Sequence, residues 1–402
     1  MTVIGIVCEY NPFHNGHLYQ LRESRRLLGE NAAVVCVMSG DFVQRGEAAV
    51  YSKFARAEAA CRCGADLVIE LPLPWSVASA ENFARGAVSL LGHLGVTHLS
   101  FGSETGDLTS LSQLAKTLLD PSVIVDIKNI MLINPSLSFA AARQQAVENR
   151  LGAVSELLSR PNDILAVEYL KAIQSFGLPI SPLAIPRLGA GHDEETNDTG
   201  PKSASELRAM LTQGNDISEH IPAPAAEVYH REHEKKRELN SPLLMETAML
   251  SRLRLFEEEY FLTLPDCADG LGSRLYHAVR EESSLEAVFM AAKSKRHALS
   301  RIRRAALCAC LGITADMLDS LPPYARVLAA NSRGRNLLRE LSKSASLPLL
   351  TKSAAVRDMS DDCQAVFSRG SAAHDFYVLG FTSPEERACG QDWRTGPSII
   401  DE

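Results

Sequence analysis

The sequence has no apolar run approaching the ~20 residues that a membrane-spanning helix needs, and no internal repeat, heptad array or low-complexity tail. Membrane, solenoid, coiled-coil and disordered classes drop out, and no membrane partner is expected. Residues 1–7 are apolar but lack a basic n-region and run straight into Glu9 and Asn11, so they read as a first strand and not as a signal peptide. Disulfide architecture is missing too. The nine cysteines are odd in number and lack framework spacing, which points to a reducing, cytoplasmic setting. Two C-x-C pairs, Cys61/Cys63 and Cys308/Cys310, are closer than zinc pairs prefer. They sit in Ala- and Arg-rich helical stretches and read as buried apolar side chains. No carboxylate stands out as a metal ligand, Asp41 being the single candidate.

What is present is ordinary for a globular chain: 46% hydrophobic and 22% charged residues over 402 positions. That length exceeds one hydrophobic core, so two domains are expected. The net charge of −8 is unevenly spread. Between Ala291 and Ala345 eleven Lys and Arg face only Asp316, Asp319 and Glu340, a local excess of +8 that leaves −16 elsewhere. Such asymmetry points to an electrostatic partner of the later chain.

The first hundred residues alternate strand and helix. Segments 3–8 and 33–38 are continuous apolar runs, as parallel strands buried on both faces should be, with shorter versions at 67–71 and 98–101. Helices are expected over 17–28, 53–63 and 80–94, each followed by glycine. This is the pattern of β-α-β units, in which ligands bind beyond the carboxyl ends of the strands. A further strand is expected over 180–185, and 188–203 is polar and Gly-rich and reads as a mobile loop. Beyond a boundary near residue 214 the chain reads as helical, with no clear parallel strand.

The strongest motif follows the first strand: Glu9-Tyr10-Asn11-Pro12-Phe13-His14-Asn15-Gly16-His17. Pro12 and Gly16 shape a turn and His17 opens a helix, whose N-terminus attracts phosphate. Two imidazoles flanking a glycine can hydrogen-bond a phosphoryl group as charge builds on it. His-x-Gly-His in this position is the signature of the nucleotidyltransferase superfamily. Two histidines that merely cap a helix are the plainer alternative. Later, Ser203-Ala204-Ser205-Glu206-Leu207-Arg208 resembles that superfamily's second motif. Ser205 could hold the β- and γ-phosphates there while Arg208 neutralises charge.

Longer stretches narrow the resemblance. Val7-Cys8-Glu9-Tyr10-Asn11-Pro12-Phe13-His14-Asn15-Gly16-His17-Leu18-Tyr19-Gln20, Gly40 through Glu47, Gly64-Ala65-Asp66, Phe101-Gly102-Ser103-Glu104, Pro161-Asn162-Asp163-Ile164-Leu165 and Ser294 through Arg304 resemble the bacterial tRNA(Met) cytidine acetate ligases. The match is weaker over the last hundred residues. The resemblance implies activation of acetate by ATP to acetyl-AMP and pyrophosphate, then transfer to N4 of the wobble cytidine of elongator tRNA(Met). It places ATP contacts on Val7 to Gln20, Gly102, Asn162 and Arg187. A helix N-cap role is the alternative for Asn162, Asp163 stands where the family has a second Asn, and Arg187 could equally be a surface arginine. His14 and His17 would act at the α-phosphate, and Ser205 and Arg208 would hold the leaving pyrophosphate, with Mg²⁺ neutralising the triphosphate. Lys295, Arg296, Arg301, Arg303 and Arg304 would grip tRNA phosphates, with Arg296, Arg303 and Arg304 sharing a helical face.

The expected architecture is α/β: a Rossmann-like parallel-sheet nucleotidyltransferase domain over 1–213, then a mostly α-helical, basic tRNA-binding domain over 214–402. Two other functions fit parts of the chain. An adenylyltransferase of a small phosphorylated metabolite leaves the basic segment unexplained. A non-enzymatic RNA-binding factor leaves unexplained the joint presence of both histidines, Ser205 and Arg208.

Overall fold

Strands rich in Val, Ile and Leu and lacking polar alternation need cover on both faces, and the computed structural model, which describes residues 1–187, 202–344 and 346–401, shows them so covered. In chain order come β1 (Val3–Cys8), α1 (Asn15–Leu28), β2 (Ala33–Ser39), a short hairpin β3–β4 (Phe42–Val43, Glu47–Ala48), α2 (Lys53–Arg62), β5 (Leu67–Leu71), α3 (Ala80–His93) and β6 (His98–Ser103). Helices α4 (Leu108–Leu118), α5 (Pro121–Ile133), α6 (Phe139–Leu151) and α7 (Pro161–Ser175) lead to β7 (Ser181–Pro186). The strands β5-β2-β1-β6-β7 lie side by side and run parallel. The chain builds outward from β1 to β2 and β5, then returns to β1's other side for β6 and β7. The strand order therefore reverses between β1 and β6, which opens a crevice at their carboxyl ends.

The loop expected over 188–203 lies outside the described residues except for Lys202 and Ser203. Then follow α8 (Ala204–Thr212), α9 (Ala223–Glu234), α10 (Leu243–Leu253), α11 (Glu258–Leu262), α12 (Leu271–Glu281), α13 (Leu285–Ala292) and α14 (Leu299–Leu311). Helices α10 to α14 close a second core around Leu253, Leu275, Val279, Val288 and Ile302. Phe42 of the hairpin and Leu73 are buried in that same core.

After α14 the mostly helical second half also contributes strands that its sequence did not mark. Residues Ala325–Ala330 form β8, completely buried and paired antiparallel to β5. They are followed by α15 (Ser332–Ser344), β9 (Leu349–Leu350), α16 (Asp361–Tyr377), α17 (Gln391–Arg394) and β10 (Ser398–Ile399). Strands β9 and β10 both pair parallel with β8. The late chain thus returns to the sheet of the first half, and a cut near residue 214 divides strands that share one sheet.

A buried ion network holds that return. Lys53 Nζ lies 2.9 Å from Glu70 and 2.8 Å from Asp392. Arg326 of β8 reaches the same two carboxylates at 3.1 and 2.8 Å. Asp41 accepts from the Lys53 backbone N–H at 2.8 Å and pairs with His374 Nδ1 at 2.8 Å. Burial alone would push the Asp392 carboxyl up, but Lys53 and Arg326 outweigh it and hold it at about 2. Asp41, committed to Lys53 and His374, is not available as the metal ligand its sequence context allowed. Lys53→Met leaves Asp392 and Glu70 short of a cation, and breaking a buried pair from one side typically costs about 3–5 kcal/mol. Urea unfolding of the full chain should show that loss; an unchanged midpoint would mean the carboxylates do not depend on Lys53.

Candidate active site

Two imidazoles stand at the crevice between β1 and β6. Helix α1 starts at Asn15, two residues earlier than the sequence suggests, because His14 is its N-cap. His14 Nδ1 accepts the Gly16 N–H at 3.0 Å, and His17 Nδ1 accepts the His14 N–H at 3.3 Å. An accepting Nδ1 leaves the proton of a neutral ring on Nε2. Both rings are neutral near pH 7. Burial, with Arg187 and Arg208, lowers His14 to about 4, and burial, with His14 and Arg187, holds His17 well below its usual value. The ring centroids are 3.8 Å apart. The pair therefore presents two Nε2–H donors side by side, and the same Nδ1 bonds that cap the helix leave those donors free. Gly16 serves the ring itself, since a Cβ there would stand 2.8 Å from His14 Cε1.

The loop that aims the rings is clamped from behind. Arg56, fully buried on α2, donates to the carbonyls of Glu9 and Gly40, to Ser39 at 3.2 Å and to Tyr51 at 2.9 Å. Asn11 Oδ1 accepts the Val50 N–H at 2.9 Å, and Tyr229 Oη accepts the Phe13 N–H at 2.9 Å. Tyr10 and Phe13 are buried, their rings 4.8 Å apart edge to face, and Tyr10 packs on His17 at 4.8 Å. Pro12 and Cys8 are also buried, Val7 lies in β1, and Gln20 donates to the Ser100 carbonyl of β6 at 3.2 Å. Asn15, Leu18 and Tyr19 line an open depression on the flank of α1. Glu9 accepts the Gln44 N–H at 2.9 Å, and burial raises its carboxyl despite nearby arginines.

Two arginines from neighbouring stretches of the chain, one just past β7 and one on α8, stand beside His14. Arg208 on α8 donates to the Asn11 carbonyl at 2.9 Å and to Ser205 Oγ at 3.2 Å, so the second motif abuts the first. Its helix starts with a capping box of Ser203 and Glu206. Arg187, just past β7, donates to Asn162 Oδ1 at 3.2 Å. Asn162 faces this arginine, whereas Asp163 points inward. Asp163 accepts the Ser103 hydroxyl at 2.5 Å and the Glu104 N–H at 3.0 Å, and burial raises its carboxyl. Neither residue caps α7 by its own side chain. Glu104 does so from outside, accepting the Asn162 and Asp163 N–H groups at 3.1 and 2.9 Å. Gly102 lies within β6, not beyond it, beside the Arg187 stem. Sequence reasoning assigned no role to Glu104 or Arg56. Arg56 does leave a signal, a cation flanked by alanines in a buried helix.

The basic segment divides. Arg301 pairs with Asp269 at 2.6 Å and Arg304 with Asp266 at 3.6 Å. Arg296 lies 4.0 Å from Asp269 in the turn before α14, and so does not share a helical face with Arg303 and Arg304. Lys295 is exposed. Arg303 turns the other way, to Glu47 of the β3–β4 hairpin at 2.6 Å. That hairpin sits so close to α14 that a Cβ at Gly46, whose φ is +78°, would stand 2.4 Å from the Arg304 nitrogen. Arg326 is in the buried network, and Arg333 lies 3.8 Å from Asp66. The charge excess is thus partly neutralised by carboxylates outside the segment. Seven of the nine cysteines are buried and all are free. Among the described residues no group of three His, Cys, Asp or Glu could hold a metal ion.

Comparison with known proteins fits this geometry. The HIGH Nucleotidyl Transferase family profile matches residues 1–392. The chain is 35% identical to the tRNA(Met) cytidine acetate ligase of Syntrophomonas wolfei over 99% of both chains, and 38% identical to that of Syntrophotalea carbinolica over 87% of this chain and 85% of the other. The crystal structure of Thermotoga maritima TmcAL bound with alpha-thio ATP superposes on the whole chain with a TM-score of 0.90 at 32% identity, each chain covered completely. The chain belongs to the HIGH nucleotidyl transferase family and, within it, to the tRNA(Met) cytidine acetate ligases.

Proposed function

We propose that this chain condenses acetate with ATP to acetyl-AMP and passes the acetyl group to N4 of the wobble cytidine of elongator tRNA(Met). The observation that carries the reading is the pair of neutral Nε2–H donors at the strand-order reversal, with Arg187 and Arg208 beside them. A structural relative is bound to an ATP analogue. Acetate is a poor acyl donor because its oxygen leaves badly. In the first step an acetate oxygen attacks the α-phosphorus and the bond to the β-phosphate's bridging oxygen breaks. Pyrophosphate takes the electron pair. The imidazole N–H groups stabilise the charge that gathers on the α-phosphoryl oxygens. Arg208 and Ser205, in the first half of α8, hold the departing pyrophosphate.

The exocyclic amine of cytosine is a weak nucleophile, because its lone pair is delocalised into the ring. In the second step N4 attacks the acetyl carbonyl carbon, AMP leaves with the electron pair, and N4 loses a proton. Lys295, Arg296, Arg301, Arg303 and Arg304 are the candidates for tRNA phosphate contacts, with Lys295 the most open of them. A Mg²⁺ ion that accompanied ATP would be carried by triphosphate oxygens, as is usual where no protein cage exists; the described residues offer no such cage.

Three outcomes check the reading. His17→Ala should lower acetate-dependent ATP–pyrophosphate exchange by ~10²–10³, the typical cost of losing one donor to a developing oxyanion. Exchange at the parent rate in a folded variant would remove His17 from the chemistry. Chromatography of nucleotide products should show acetate-dependent AMP and no ADP, since ADP would mean attack at the γ-phosphate. In the free chain, NMR titration of His14 should give a midpoint near 4; a midpoint near 6.5 would mean the ring is charged through much of the working range.

A further inference from the structure

Behind the histidine loop lies a cavity of about 460 Å³ lined by neither histidine. Its volume falls within the ~300–1,000 Å³ of small-ligand sites. The inner wall is the back of the catalytic loop's support. Val50, whose N–H holds Asn11 Oδ1, lines the cavity, and so does Arg208, whose guanidinium holds the Asn11 carbonyl. The outer wall belongs to α10, α13 and α14 and includes Arg303, one of the five candidate tRNA cations. The cavity therefore joins the nucleotide motifs to the basic segment.

Its lining suits a flat, polar-edged ring. Phe289, Met249 and Leu285 supply an apolar floor. The Arg303 guanidinium stands 5.8 Å from the Phe289 ring centroid, fixed by Glu47 at 2.6 Å and Glu286 at 3.7 Å. An arginine plane with an aromatic ring is a stacking platform for a nucleobase. Glu246, also in the lining, spends one oxygen on the Leu285 N–H at 2.9 Å and keeps the other. A carboxylate accepts from the exocyclic amine of cytosine. An enzyme that modifies a base must take it out of its stack into a pocket. The acceptor amine has to come from the RNA-facing side to an adenylate held by the histidine loop.

We propose that this cavity receives the unstacked acceptor cytosine, stacked on Phe289 and Arg303, with Glu246 accepting an N4–H to orient the amine. The assignment rests on the two-step reading above.

The test pairs a blocking variant with a position-reading probe in the full chain. Leu243, at the cavity rim and 70% exposed, tolerates a larger side chain without disturbing a core. Leu243→Trp should cut acetyl transfer to tRNA more than tenfold, relative to acetate-dependent exchange measured without RNA in the same preparation. An anticodon stem–loop carrying 4-thiouridine at the acceptor position should photocross-link to peptides spanning 243–249 or 285–289. Transfer at the parent rate, or cross-links confined to Tyr19 and Arg22 on α1, would overturn the cavity assignment while leaving activation intact. A parent chain without acetate-dependent exchange would overturn the two-step reading and, with it, this one.

Discussion

A single buried guanidinium sets the geometry on which the candidate site depends. Arg56 is removed from water, and its partners are carbonyl oxygens rather than a carboxylate. Burying a charge is expensive unless its donors are satisfied. Here they are satisfied by main-chain groups of the loop after β1, the loop after β2 and the turn into α2. None of those loops can move without leaving a buried cation unpaired. The loop after β1 carries His14 and His17, and the loop after β2 leads into the hairpin that meets α14. Histidine loop and helical region are thus referred to one rigid point.

That dependence explains which parts were readable in advance. The Val- and Ile-rich strands β1, β2 and β5, their glycine-terminated helices and the His-x-Gly-His turn carry local signals, and the structure places them within a few residues of expectation. Strand β8 carries none. Its sequence Ala-Arg-Val-Leu-Ala-Ala has weak strand propensity and an arginine in its second position. It becomes a strand because Arg326 finds Glu70 and Asp392, partners far away in sequence, and because β5 offers an open edge. Tertiary context overrides propensity in that case. The local charge count was incomplete for a related reason. Counting along 291–345 could not see Asp266, Asp269, Glu47 or Glu286, which the fold brings to the arginines.

The electrostatics at the histidines answer a problem that any ATP site faces. Charged imidazoles would attract ATP but would also bind pyrophosphate strongly and slow its release. In this chain the permanent charge sits on Arg187 and Arg208, and it helps keep the imidazoles neutral. Neutral N–H donors still respond to charge that builds on the α-phosphoryl oxygens, and a donor fixed in place needs no reorganisation as that charge develops. The backbone bonds at Nδ1 fix both tautomer and ring plane. Capping the helix and aiming the donors are therefore one constraint, and a substitution that spoils one spoils the other.

The same economy governs how two reactions share one loop. Activation needs a dry, rigid cradle for phosphates, whereas transfer needs access for a large polyanion. Arg208 stands at the junction: its guanidinium reaches the Asn11 carbonyl, and the residue also lines the cavity against α10, α13 and α14. A cation there ties the histidine loop to the cavity wall. The helical region supplies the far wall of that cavity. Gly46 allows this wall to close, because any side chain there would strike the α14 backbone and hold the hairpin away. The hairpin's contact with α14 also settles Arg303, whose charge is held by Glu47 at 2.6 Å.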